Sequence, residues 1–203
     1  MPDAIRRLAL VAACAAPLAA VAAPETWRFD PVHTQVWFSA SHQGFSHPLG
    51  RLRVKDGWFV FDEDDWSASR VDVTIDLASA DLGDAKWNET VKSGQFLDVS
   101  RWPVARYVSR SVEKTSAHGG TIHGELHFRG ETRPVDVAFT LNRVGNDPYL
   151  FKRKAGFSAS ATLQRSAFGM KRYAEVVGED IDLRFEIEGI RDRDAGKPQP
   201  EER

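Results

Sequence analysis

Apolar and polar residues alternate with a period of two along much of this chain. Val71, Val73, Ile75 and Leu77 interleave with Asp72, Thr74 and Asp76, the spacing of a strand with one face in water and the other in a core. Val135, Val137, Phe139 and Leu141 repeat it against Asp136, Ala138 and Thr140. Ile181, Leu183, Phe185 and Ile187 do so against Asp182, Arg184 and Glu186. Weaker runs occupy residues 33–42, 52–61, 104–113, 121–129 and 151–165, so the pattern predicts about eight strands. Turn residues separate most of them, at Ser46-His47-Pro48, Ala117-His118-Gly119-Gly120, Gly130-Glu131-Thr132 and Gly145-Asn146-Asp147-Pro148, and short links between alternating strands mean an antiparallel meander. Residues 84–94 break the pattern: Trp87 and Val91 are four apart and Asp84 is placed to cap a short helix.

Eight strands with one apolar face each, and a single short helix to cover them, must close on themselves or fold over as a sandwich, and closure alone removes exposed edges. The expected fold is therefore all-β, an eight-stranded antiparallel barrel with one short helix. Such a barrel sits at the size where side chains fill the interior or leave room for one ligand. On the strand at 151–165 the less polar face reads Ala155, Phe157, Ala159, Ala161 and Leu163, and Ala40 and Gly124 hold similar faces elsewhere. Small residues among phenylalanines leave space with apolar walls. The competing expectation is a packed interior in which Trp58, Phe128, Phe139 and Phe185 reach across those gaps.

Composition narrows the setting. Arg6 and Arg7 precede an apolar, alanine-rich run from Leu8 to Ala22 that ends Ala20-Val21-Ala22, the pattern of a secretory signal peptide over residues 1–22 with an h-region too short to span a bilayer. A rival reading takes Val11-Ala12-Ala13-Cys14 as a lipoprotein box with Cys14 acylated. Cys14 is the only cysteine, so signal removal leaves no disulfide and no thiol chemistry. Beyond residue 22 the chain holds 25 basic and 28 acidic residues, a formal charge of −3 with no basic cluster, which gives no footprint for nucleic acid. The expected location is the periplasm. Residues 191–203 are charged, contain two prolines and lack apolar anchors, and read as a disordered polar tail.

Phe29-Asp30-Pro31-Val32-His33-Thr34 opening the first long strand, with Val36, Phe38 and His42 behind it, resembles the start of the YceI-like family of periplasmic lipid-binding proteins. Lys92-Ser93-Gly94-Gln95-Phe96-Leu97-Asp98-Val99 with Trp102-Pro103 is similar to that family's passage from helix to strand, and Gly124-Glu125-Leu126 with Gly130, Thr132 and Pro134 to its central hairpin. Ala155-Gly156-Phe157-Ser158-Ala159 and Arg165-Ser166-Ala167-Phe168-Gly169-Met170 complete the resemblance, in order over nearly all of residues 26–190. It implies a lipocalin-like barrel over residues 23–190 whose tunnel takes a polyisoprenoid or related long-chain lipid, such as a polyprenyl phosphate or an isoprenoid quinone, as its ligand, with no cofactor. Trp37 and the 43–51 loop, with His47 and Pro48, depart from the family pattern. The residues expected to line the tunnel are Val36, Phe38, Ala40, Phe128, Phe139, Phe157, Ala159, Ala161, Phe168 and Phe185. For a polar head group, Arg165 offers two nitrogens to a phosphate, and His33 and His42, at opposite ends of one strand, offer ring donors. Each has a plainer alternative as a turn or strand-end residue. Transient membrane contact and a homodimer remain open.

Other constellations are weaker. His123, Glu125 and His127 share one strand face, but the two histidines stand ~13 Å apart, too far for one ion with ~2 Å bonds. The turn Asp62-Glu63-Asp64-Asp65 lacks the glycine and later glutamate of a calcium loop. Gly156-Phe157-Ser158-Ala159-Ser160 lacks the closing glycine of a nucleophile elbow and lies within a strand. The expectation is a binding protein, not an enzyme. The alternatives are a secreted enzyme using the same cavity, which needs a converging acid and base, and a packed-barrel interaction module with Trp37, Trp66 and Trp87 on its surface.

Overall fold

A computed structural model describes residues 24–197; the predicted signal segment, with Cys14, and residues 198–203 lie outside the described residues. Nine strands run β1 Glu25–Phe29, β2 Gln35–His42, β3 Leu49–Phe61, β4 Arg70–Asp81, β5 Val104–Lys114, β6 Gly119–Phe128, β7 Glu131–Asn146, β8 Arg153–Gln164 and β9 Val177–Arg191, with helix α1 at Ala85–Lys92 between β4 and β5. All pair antiparallel. The order is β1-β3-β2-β9-β8-β7-β6-β5-β4, and β3 pairing with β4 closes the sheet.

The nine strands fill eight places around the barrel. β1 and β2 both lie between β3 and β9: Trp27 pairs with Phe59 and Arg191, and Val36 with Leu52 and Phe185. They are two halves of one stave, interrupted where Pro31 has no N–H for the ladder. Asp30, buried, ties off the interruption: its carboxylate accepts from the N–H of Val32 (2.9 Å) and His33 (3.3 Å), and its carbonyl from Thr34 N–H (2.9 Å). The eight-stranded barrel is thus as the alternation predicts, with the half-stave β1 added.

α1 forms where the period breaks, capped by the Asp84 carboxylate, which accepts from the N–H of Lys86 and Trp87, both at 3.0 Å. The β6–β7 connection is Arg129-Gly130 with φ of 52° and 78°, the left-handed pair a two-residue hairpin needs. Two short 3-10 turns, Trp66–Ala68 and Arg165–Phe168, are below the length at which periodicity is readable.

The end of the chain departs from expectation. β9 runs on to Arg191, Asp192 N–H donates to Thr26 O (2.9 Å), its carboxylate holds Arg28 Nε at 3.0 Å, and Ala195 is buried. Residues 191–197, the last residue of β9 and the turns after it, are therefore ordered rather than a disordered tail, exposed except at Asp192 and Ala195, while the rest of the predicted tail, 198–203, lies outside the described residues. Their anchor is backbone pairing to β1, which composition does not reveal.

The two ends differ. α1 and the loops 43–48, 82–103 and 165–176 lie at one. At the other, Phe59, Phe61, Trp66, Phe139 and Phe157 close the barrel with edge-on and stacked ring contacts at centroid distances of 5.1–6.0 Å, the separation at which aromatic pairs attract.

Candidate functional site

A cavity of ≈ 510 Å³ runs inside the barrel, within the range of small-molecule sites. Phe29 borders it from β1, and the other strands send alternate residues into it, as the pleat requires: Val36, Phe38 and Ala40 from β2, Val71, Val73 and Ile75 from β4, Ala159 and Ala161 from β8, Leu183 and Phe185 from β9. Of the ten residues expected to line a tunnel, Val36, Phe38, Ala40, Phe128, Phe139, Phe157, Ala159, Ala161 and Phe185 do so. The tenth, Phe168, is 2% exposed and packs against Phe128 at 5.3 Å behind the wall. It sits on the 3-10 turn after β8, where strand alternation no longer sets direction.

The small residues act in two ways. Ala159 and Ala161 leave space. Gly124 does not: a Cβ there would stand 2.5 Å from the Tyr107 ring, so the tyrosine already fills that gap. The Tyr107 hydroxyl lies 2.9 Å from Val135 O and 3.1 Å from Ile122 O. Burial, helped by the charge of Asp136, raises its pKa far above the ordinary phenol value, so it stays neutral.

At the helix end the cavity wall passes into exposed residues. Trp87 and Thr90 of α1, Pro48, and Tyr173 of the loop before β9 all border it, and Trp87 and Tyr173 are 43% and 40% exposed. His42, at the end of β2, lies beside Trp87 at 5.7 Å, and Phe96 stacks on Tyr173 at 6.0 Å. This is the mouth. The lining there includes the polar groups of Ser41, His42, Thr90 and Tyr173; at the opposite end the exposed Arg70 is the one permanently charged residue of the lining among the described residues, and none of their aspartates, glutamates or lysines borders the cavity.

Two head-group candidates are placed elsewhere. Arg165 is 1% exposed and outside the lining. Its Nε donates to Gly178 O (3.0 Å) and one terminal nitrogen to Met170 O (2.5 Å) and Arg172 O (2.9 Å), so it is spent on the carbonyls of the loop that carries Tyr173 rather than offered to a ligand. The charge that suits a phosphate suits an array of carbonyls equally well. His33 lies on the turn between β1 and β2, its Nδ1 2.7 Å from Asp30, beside a polar groove on the outside of the barrel. Only His42 remains at the mouth. Sequence reasoning missed Trp87, Tyr173, Leu97 and Met170 as lining; Trp87 was readable as the helix's apolar face, whereas the other three lie in loops without a period.

Outside the cavity, Asp30, His33 and Glu188 bring possible metal-ligating atoms within 4.8 Å of one another. The Lys154 ammonium already stands among carboxylates there, 3.4 Å from Asp30, 3.3 Å from Asp147 and 3.0 Å from Glu188. Burial works against its charge, but hydrogen bonds to Glu188 and Asp147 outweigh burial and raise its pKa. Burial likewise works against the Asp30 carboxylate and is outweighed by hydrogen bonds from His33 and the Val32 N–H, which lower its pKa. The cluster is a salt-bridge knot fixing the broken stave to β8 and β9. His123 bonds Asp136 at 2.8 Å and His127 bonds Thr132 at 2.8 Å, separate partners on the outer face. Asp62 accepts from the N–H of Asp64 and Asp65, shaping its own turn.

Comparison with known proteins agrees with this architecture. A YceI-like domain matches residues 27–189. A UPF0312 protein of Pseudomonas paraeruginosa is 38% identical over 159 residues, 78% of this chain and 82% of its own length; one of Serratia proteamaculans is 34% identical over 159 residues, again 78% and 82%. Among solved structures, Burkholderia cenocepacia BcnA superposes with a TM-score of 0.67 at 23% identity, over 79% of this chain and 98% of that one. A polyisoprenoid binding domain from Saccharophagus degradans shares the fold with a TM-score of 0.59 at 11% identity, over 82% and 98%.

Proposed function

The chain belongs to the YceI-like family, and on that premise we propose that it is a binding protein which buries the apolar chain of a polyisoprenoid or similar lipid in the barrel and performs no chemistry on it. The observation that carries this reading is the lining: a ≈ 510 Å³ space walled mainly by aliphatic and aromatic side chains, to which the described residues contribute no carboxylate or lysine. Acid–base catalysis needs a proton donor and acceptor converging on a reacting atom, and among the described residues His42 at the mouth has no carboxylate beside it in that wall. The Saccharophagus degradans neighbour, described as polyisoprenoid binding, supports the ligand class.

Volume sets the scale of the ligand. At about 30 Å³ for each group the size of a water molecule, the cavity has room for on the order of 17 chain carbons, three to four prenyl units. Each buried methylene contributes about 0.8 kcal/mol, so a chain of that length is held firmly even after its ordering cost. A longer ligand leaves its remainder, and its head group, at the mouth beside Ser41, His42, Thr90 and Tyr173. The signal-like N-terminus supports a periplasmic carrier or shield for such a lipid.

Native mass spectrometry of the protein purified from its own host, with organic extraction of what it releases, tests this. A stoichiometric long-chain isoprenoid is the expected result. A protein that is repeatedly empty and takes up neither quinones nor prenyl phosphates would overturn it in favour of a surface-interaction module.

A further inference from the structure

The large apolar side chains left in water gather mainly at the two ends of the barrel. At the mouth, Phe45 is 86% exposed on the tip of the β2–β3 hairpin, where Gln43 and Gly44 take φ of 53° and 72°, and Trp87 and Tyr173 stand half out of the cavity wall. At the closed end, Tyr149 and Phe151 are 88% and 90% exposed. Charge separates these two surfaces. The mouth loops, residues 43–48, 82–103, 129–130 and 165–176, hold seven basic and four acidic residues; the described closed-end segments, 62–69, 115–118, 147–152 and 192–197, hold three basic and seven acidic. The acidic turn also lies close to the Tyr149–Phe151 loop, since Arg153 reaches from β8 to Glu63 at 2.8 Å.

We propose that the open end is a docking face for an anionic bilayer: Phe45, Trp87 and Tyr173 enter the interfacial layer, Lys171 and Arg172 sit against lipid phosphates, and the cavity opens directly onto the membrane. This rests on the lipid-binding reading, and it supplies the route by which such a ligand enters. A chain that crossed water to reach the cavity would be disfavoured about fourfold for every exposed methylene; a mouth seated in the interface removes that crossing. Tryptophan and tyrosine are the residues that settle at bilayer interfaces, and here both are exposed at the mouth and continuous with the apolar lining. The Arg172 guanidinium lies over the Tyr173 ring at 5.9 Å, which places a cation at the rim next to an aromatic anchor. The acidic closed end is repelled by the same surface, so the field of the molecule orients it mouth first.

Co-sedimentation of the protein, purified as its host produces it, with phosphatidylcholine vesicles and with phosphatidylcholine–phosphatidylglycerol vesicles tests the proposal. Partitioning should be stronger on the anionic vesicles and fall with added salt. Phe45→Ser should lower it about tenfold or more on both vesicle types, the value of one buried phenyl ring. Lys171→Glu with Arg172→Glu should lower it at least tenfold on the anionic vesicles only. Phe151→Ser, at the far end, should leave it unchanged. These side chains are exposed, so melting temperatures that match the parent's confirm that folding is intact. Absence of binding to either vesicle, or loss with Phe151→Ser and not with Phe45→Ser, overturns the proposal. Retention of a chain-labelled prenyl probe in vesicle-free buffer separates the two readings. A protein that retains the probe and ignores vesicles has the cavity function without the docking face. One that docks and never retains the probe has the docking face without the cavity function.

Discussion

Ala161→Phe is the substitution that most directly tests whether the interior is a ligand site. Ala161 lies on β8 with its methyl on the cavity and is only partly buried, so a phenyl ring there projects into empty space rather than into packed neighbours. Its six carbons displace about six of the ~17 chain carbons the cavity has room for. At about 0.8 kcal/mol each, that is a gross loss of about 5 kcal/mol of burial. Ordering a flexible chain takes back a share of each methylene's gain, which leaves a net loss of about 2–3 kcal/mol, or about thirty- to 150-fold in affinity. The empty protein moves the other way. A ring that fills a void contributes up to about 1.5–3 kcal/mol, and for a domain of this size each kcal/mol raises the melting temperature by about 2–4 °C. Displacement of a fluorescent long-chain probe reads the affinity, and thermal unfolding of delipidated protein reads the stability. Weaker binding with higher stability is the expected pair. Lower stability with unchanged affinity would refute the reasoning, because it would mean that the space is already filled and the ligand sits elsewhere.

Three further outcomes follow from other parts of the structure. Arg165→Met removes the donors that hold Gly178 O, Met170 O and Arg172 O; at about 1.5–3 kcal/mol for a hydrogen bond from a charged group, the loss should be at least about 3 kcal/mol, read by urea unfolding, and unchanged stability would return Arg165 to the list of ligand groups. Lys154, with its pKa raised in the fold, contributes stability that is complete below the unfolded lysine value of about 10.4 and lost as pH rises beyond it; Lys154→Met should therefore flatten the alkaline limb of the stability–pH curve, and an unaltered limb would show that the knot is not coupled to folding. Affinity measured along a series of prenyl alcohols should rise with each unit up to about 15–20 carbons and then level, whereas a continued rise would mean a deeper tunnel than the ≈ 510 Å³ cavity.

How far the sequence carried depended on whether a position obeyed a period. On β4, β7 and β9 the alternation of Val71 to Leu77, Val135 to Leu141 and Ile181 to Ile187 gives both the strand and the inward face, and nine of the ten residues expected to line the tunnel border the cavity because one face of each strand has nowhere else to go. β1 was illegible: five residues broken from β2 at Asp30-Pro31 are too few to show a period, and with β1 unseen its pairing with Gly189–Arg191 and Asp192, which anchors the residues that follow, was unseen too. Side-chain size alone also misled once, since Gly124 and Ala161 look alike as small inward residues, yet only the neighbour across the strand decides whether Tyr107 fills the gap or a ligand does.

The mouth shows the same limit from the chemical side. Arg165, a lone arginine just past a barrel strand in a protein suited to lipids, fits a phosphate by type, but its role is fixed by three carbonyls brought together only when the loop of residues 165–176 folds back. A buried arginine bound in that way makes the loop rigid, and the loop carries Tyr173 and the cations Lys171 and Arg172 at the rim. On the lipid-binding proposal, Arg165 acts on ligand entry through position rather than contact. Arg165→Met should disturb entry in proportion to the loop's loss of order, slowing or loosening uptake of neutral prenyl alcohols as much as of prenyl phosphates. Equal effects on the two ligands, measured as uptake rates in parallel, fit a positioning role; an effect confined to the phosphates would put the guanidinium back on the head group.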